Sequence, residues 1–277
     1  MPHRPITVRI RAAIVTTASL AVLAGIALPG AATAGGAPLI DGSRPAPAPV
    51  TVTLHTLLAP ADVRPGVVRG TRRNAQTAGS PAACSDRAMQ LMDNRVHWQS
   101  TYAWSFRARS TPSYLDRRSV ANALRRGITN ITDAVNDCGR SDRVSATATF
   151  LGITATLPAP TADLTCAGRD GQNVVGFGRL PTRYAGLTCI WSQGDRIIEA
   201  DIKLNKRSRW ATSLVGCNAA SLIESVTTHE AGHVFGLGHV SETTHGRLTM
   251  SERLDGQCQN SESTLGNGDM RGLETIY

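Results

Sequence analysis

The 277-residue sequence predicts an α+β fold, on three observations. Residues 102–108, 144–150 and 198–204 alternate apolar and polar side chains at the period of a half-buried strand. Residues 120–135 and 221–234 repeat apolar side chains every three or four positions, as an amphipathic helix does. These segments run in the order strand, helix, several strands, helix, loop-rich tail and short final helix, which is an α+β pattern. Hydrophobic residues make up 41% and charged residues 18%, enough for a globular core. Aromatics supply only 4%, so packing falls mainly on Ala, Val, Leu and Ile.

Residues 1–34 carry the pattern of a secretory signal peptide. Basic residues from Arg4 to Arg11 come first, an uncharged stretch from Ala12 to Leu28 follows, Pro29-Gly30 breaks it, and Ala32-Thr33-Ala34 offers a small-x-small cleavage site. Thr16, Thr17, Ser19 and Gly25 weaken the stretch as a membrane anchor, so the expectation is export, cleavage and no stable membrane association. Removing the leader takes away three arginines and no acid, so the formal charge falls from +8 to +5. No basic run is interleaved with aromatics as nucleic-acid binding would require; Lys206-Arg207-Ser208-Arg209-Trp210 reads as a solvated loop or strand end.

Residues 35–83 are rich in Pro, Ala, Gly, Arg and Thr and predict a flexible pro-segment or linker, interrupted by the apolar run Val50 to Leu58. The regularly patterned region is expected at 84–277. Within it, Tyr102, Trp104, Phe106 and Ala108 mark a strand. Val120, Leu124, Ile128, Ile131 and Val135 mark a helix ending at Asp137-Cys138-Gly139, with Gly139 as left-handed cap. Val144 to Phe150 alternate again, 174–192 suggest short strands and turns, and Ile198 to Leu204 form the clearest strand. Ser221-Leu-Ile-Glu224 has capping-box spacing and is expected to start the second long helix.

Six cysteines, none in the leader, predict three disulfides in an oxidising compartment. Fifteen connectivities are open; sequential pairing, 84–138, 166–189 and 217–258, is the working expectation.

The chemistry concentrates in His229-Glu230-Ala-Gly-His233-Val-Phe-Gly236-Leu-Gly-His239. Histidines four apart on a helix stack on one face and can share a metal ion. Glu230 lies one residue along, within reach of a water at that ion. Gly236 can take a positive φ, so the chain can turn and return His239 to the same ion. Three imidazoles and one open position make a catalytic rather than a structural zinc site. A chance match to the five fixed positions in such a chain is on the order of one in 10^5. His245 reads as a loop residue, and His55 and His97 as isolated.

The motif, followed by Met250 in Leu248-Thr-Met-Ser251, resembles the metzincin signature, and within it the matrixins, of bacterial type. The likeness covers about residues 84–277, and its specific parts are the zinc motif and the methionine turn. It implies a zincin-like domain: a twisted, mostly parallel sheet with an antiparallel edge strand, an active-site helix and a C-terminal helix at 268–277. It implies one catalytic Zn2+ on His229, His233 and His239, with Met250 beneath it. Peptide bonds would be hydrolysed by zinc-activated water, with Glu230 as general base. Strand 197–204 is expected to be the edge that pairs with extended substrate. Ser251-Glu252 stands where matrixins often have Tyr-Pro, so the specificity pocket departs from the pattern. Calcium has no motif here; Asp163, Asp170 and backbone carbonyls are the available oxygens. Cys84 could serve as a pro-segment thiol on the zinc, but the even cysteine count favours a disulfide. The expected partner is a protein or peptide substrate and the expected state a monomer. A secreted zinc-binding module without proteolysis is the alternative, and a single-substrate maturation protease a third reading.

Overall fold

Six strands form one sheet in a computed structural model that describes residues 48–60 and 81–277; the expected leader, residues 1–34, lies outside the described residues. They are β1 (Val50–Leu58), β2 (Tyr102–Phe106), β3 (Ala148–Ile153), β4 (Asn173–Gly178), β5 (Tyr184–Gln193) and β6 (Arg196–Asn205), in spatial order β1-β5-β6-β4-β2-β3. Strands β3, β2, β4 and β6 pair in parallel, and β5 runs antiparallel to β6. A short parallel pair joins β7 (Trp210–Ala211) and β8 (Ser221–Leu222). The helices are α1 (Pro81–Ser85), α2 (Arg117–Thr132), α3 (Ile223–Val234), α4 (Glu242–His245) and α5 (Asn267–Ile276). This is the mixed, mostly parallel architecture that the resemblance implies.

The alternation in β2 is realised as expected, with Tyr102, Trp104 and Phe106 buried and Ala103 and Ser105 half-buried. Strand β5 is buried at nine of its ten positions, as fits a strand covered on both faces. One core joins the sheet to α2, α3 and α5: Phe106, Leu124, Ile128, Ile202, Val226, Phe235 and Leu273 all belong to it.

Four expectations need correction. Strand β6 is not an edge, because β5 takes one side and β4 the other; the chain reverses at Gly194 (φ 65°), which leaves β5 as the outer antiparallel strand of the catalytic region. Helix α2 stops at Thr132, short of Gly139, because Leu265 N–H donates to Val135 O and Asn136 bridges to Leu265; this pairing takes the chain out of helical geometry. Its start is fixed by Asp116, which accepts from Ser119 N–H at 2.7 Å. The capping box at Ser221 does not form. Ser221 pairs in β8, α3 begins at Ile223, and Glu224 reaches across to Arg126 (2.5 Å), so the link between helices replaces the local cap. Finally, the segment expected to be flexible contains a full strand: Val50–Leu58, the apolar run that interrupts it, pairs along the whole of β5.

All three disulfides join the expected partners: Cys84–Cys138, Cys166–Cys189 and Cys217–Cys258. Cys84 is therefore not a free thiol. No helix of the described residues is long and apolar enough to cross a membrane.

Candidate active site

Helix α3 is buried on nearly every side, with eleven of its twelve residues inside, so its polar side chains must find partners within the protein. Its floor is set by close approach to the methionine turn: a methyl group at Gly232 would collide with the Met250 sulfur. Its end is fixed by Trp98, whose indole N–H donates to Val234 O at 3.0 Å. The turn that follows rests on Gly236 at φ 92°, where a side chain would also strike Val96 O. Met92 N–H donates to Gly236 O and Gly238 N–H to Gln90 O; Val240 N–H donates to Met250 O. His239 is thus held between the 90–92 segment and the methionine turn.

The consequence is a triangle of imidazole nitrogens. Nε2 of His229 and Nε2 of His233 are 3.1 Å apart, and each faces Nε2 of His239, at 3.1 and 2.9 Å. The Nδ1 atoms of His229 and His233 lie 2.6 Å from Thr249 O and 2.9 Å from Leu237 O. A carbonyl can only accept, so those Nδ1 atoms carry the protons and the two Nε2 atoms present bare lone pairs to each other. Lone pairs facing at this distance call for a cation between them. Tetrahedral ligands at zinc–nitrogen lengths of about 2.0–2.1 Å would sit about 3.3 Å apart, close to the observed triangle. Burial holds His229 and His233 well below the usual histidine pKa and brings His239 down to about 4, so all three are neutral at pH 7, the form in which an imidazole can bind a metal. Among the described residues, this is the one group of three or more His, Cys, Asp or Glu side chains that could hold a metal.

Glu230 is fully buried beside the triangle. Its Oε2 accepts from the Thr188 hydroxyl on β5, and its Oε1 has no partner among the described residues. A methyl at Gly186 would run into Oε1, so that glycine makes room for the carboxylate. Burial pushes the carboxyl up to about 8 against the opposing Thr188 bond; a cation on the histidines would pull it down again.

The structure thus brings together His229, Glu230, His233, His239 and Met250. His245 stands apart in α4, 2.8 Å from Asp86. His97 lies against the Arg95 carbonyl. Among the described residues, Asp163 and Asp170 join no metal-binding group; Asp170 N–H and Gly171 N–H donate to Glu199. Sequence reasoning missed three participants. Asp269, buried at the start of α5, accepts from Thr249 N–H, Met250 N–H and Gly266 N–H and so fixes the methionine turn. Thr188 orients Glu230. His55, on β1, stacks on His233 with ring centroids 4.3 Å apart and meets His239 edge-on at 6.2 Å. The strand signal at 50–58 was present, in Val50-Thr-Val-Thr53; Asp269 and Thr188 carry no local signal.

Comparison with known proteins agrees with this geometry. The family model for matrixin matches residues 187–277, a span that begins in β5 and takes in α3, the methionine turn and α5. No curated protein matches the chain. The matrixins are zinc-dependent peptidases, so the match supports a metallopeptidase-type function. Over residues 187–277 the chain is thus similar to the catalytic domain of the matrixins, a metzincin family.

Proposed function

We propose that the protein is a secreted zinc endopeptidase that hydrolyses peptide bonds in proteins, with zinc held by His229, His233 and His239 and Glu230 as general base. The observation that carries this reading is the convergence of three Nε2 atoms, two of them with bare lone pairs, on the helix that carries a buried carboxylate with one oxygen free. The domain plan that goes with it is a signal peptide at 1–34, a pro-segment or linker at 35–83 and the peptidase at 84–277, acting as a monomer. Export is supported by the leader pattern and the three disulfides.

Bound zinc supplies Lewis acidity, making water nucleophilic near neutral pH and polarising a carbonyl. Every other role falls to the chain. The Thr249 and Leu237 carbonyls lock the tautomers of His229 and His233. Met250 props the floor under α3. The free Oε1 of Glu230 takes the proton of the attacking water and passes it to the leaving amine. Thr188 keeps the other oxygen in place. Extended substrate pairs with the outer edge of β5, the strand that touches Glu230, rather than with β6.

The test is metal analysis with digestion of an unfolded protein by wild type and Glu230→Ala. The variant should keep stoichiometric zinc and lose about 10²–10⁴-fold in rate. Undiminished digestion would refute the assigned role, and wild type that binds zinc without cutting any protein would favour a binding module.

A further inference from the structure

The outer edge of β5, where substrate is proposed to pair, is filled by the chain itself. Strand β1 runs antiparallel along it from Val50 opposite Gln193 to Leu58 opposite Tyr184. On its other side the end of β1 is gripped by the segment after Met250: Leu58 N–H donates to Glu252 O, Leu254 N–H donates to Leu58 O, and the Arg253 guanidinium donates to Ala59 O. Ala59 N–H in turn donates to Arg183 O. Residues 57–59 are therefore clamped from both sides.

Side-chain alternation fits the same track. His55 and Leu57 face α3: His55 lies on the rings of His233 and His239, and Leu57, 1% exposed, enters the main core. Leu54 points the other way, against Cys189, Trp191, Leu187 and Tyr184. The two anchors stretch Thr56 between them, opposite Leu187. Glu230 touches the residues on either side of Leu187. Its bonded oxygen is at Thr188, opposite His55, and its free oxygen is at Gly186, opposite Leu57.

We propose that Val50–Leu58 is an internal substrate and that Thr56–Leu57 is a self-processing site, the bond presented to the free oxygen of Glu230. In the step, water adds its hydroxyl to the Thr56 carbonyl carbon, the Thr56–Leu57 C–N bond breaks, and the proton held by Glu230 goes to the Leu57 nitrogen. The products are a Thr56 carboxylate and a Leu57 amine, with no redox change. Until the cut, β1 denies the edge of β5 to other peptides. This rests on the peptidase reading above, and the experiment separates the two.

Metal-free full-length wild type and Glu230→Gln are given zinc at time zero, then followed by intact-mass spectrometry and N-terminal sequencing, with an unfolded protein digested in parallel. Wild type should release a new terminus at Leu57, at a rate unchanged over a hundredfold dilution, while Glu230→Gln stays whole. An intact Thr56–Leu57 bond in protein that digests the unfolded substrate overturns the inference and leaves the peptidase reading standing. A cut elsewhere in 50–58, or a rate proportional to concentration, also overturns it. Protein that cuts neither substrate sinks both. A second readout needs no activity: in Glu230→Gln, adding Leu57→Asp should speed amide exchange across 186–193 by at least about tenfold, because a carboxylate cannot be buried in the Leu57 pocket without large cost. Equal exchange in the two proteins would show that β1 is not seated there.

Discussion

Gly127→Ala sets two effects of opposite sign against each other at the contact between α2 and α3. Alanine favours a helix interior over glycine by about 0.8–1.0 kcal/mol, so on propensity alone the change stabilises. The new methyl, however, would lie 2.6 Å from Thr227 Cβ and 2.9 Å from both Thr227 Cγ2 and the Glu224 backbone oxygen. Carbon pairs settle at about 3.5–4.0 Å, so the helices must part by about 1 Å. Overfilling a packed core costs about 1–3 kcal/mol. Here the obstacles are a backbone carbonyl and a β-branched side chain, neither of which can swing aside, which favours the upper half of that range. Net destabilisation is then about 1–2 kcal/mol, and at about 2–4 °C per kcal/mol for a domain of this size the Tm falls by about 2–8 °C. Calorimetry of the metal-free wild type and variant reads this directly. A Tm unchanged or raised would mean that the helices are not in the contact described, and the placement of α3 against α2 would have to be revised.

Further outcomes follow from other contacts. His239→Ala leaves two nitrogens of the triangle and should lower zinc content at fixed free zinc, read by metal analysis after dialysis; unchanged content removes His239 from the ligand set. Cys84→Ser with Cys138→Ser opens a closure of 54 residues, and the chain-entropy account puts the loss at about 4 kcal/mol, read as a lower urea midpoint. Burial raises the Glu262 carboxyl from 4.5 to about 7, so the folded state prefers its neutral form. That contribution is fully present below pH 4.5 and is lost as pH climbs to about 7, by at most about 3 kcal/mol. Glu262→Gln should therefore flatten metal-free stability against pH across that window, and an unaltered slope would contradict the assignment.

What could be read from the sequence was what is local. The alternation of Tyr102, Trp104 and Phe106, the stripe through Val120, Leu124 and Ile128, and the spacing of His229, His233 and His239 are set by backbone periods of two and 3.6, visible within a dozen residues. The positive φ at Gly236 was legible for the same reason. What failed to show depended on partners distant in sequence. Ser221 and Glu224 have the spacing of a cap, but Arg126 and the β7 strand compete for them. Gly139 does adopt φ 66°, yet Leu265 has already drawn the chain out of the helix. Strand 198–204 has an alternating pattern that suits an edge, and only the pairing with β4 puts it inside. Val50–Leu58 sits in a stretch whose composition predicts no structure, and its place beside β5 is set across more than a hundred residues.

The grip of Asp269 on the methionine turn ties the three-histidine cluster to a segment that is synthesised after it. Its carboxylate receives the Thr249 and Met250 amides, and Thr249 O is in turn the partner of His229 Nδ1. A nascent or C-terminally trimmed chain that stops before residue 269 owns all three histidines but lacks the platform that aims the first of them. On the zinc reading proposed above, metal capture waits until translation has run past α3 by a further 35 residues.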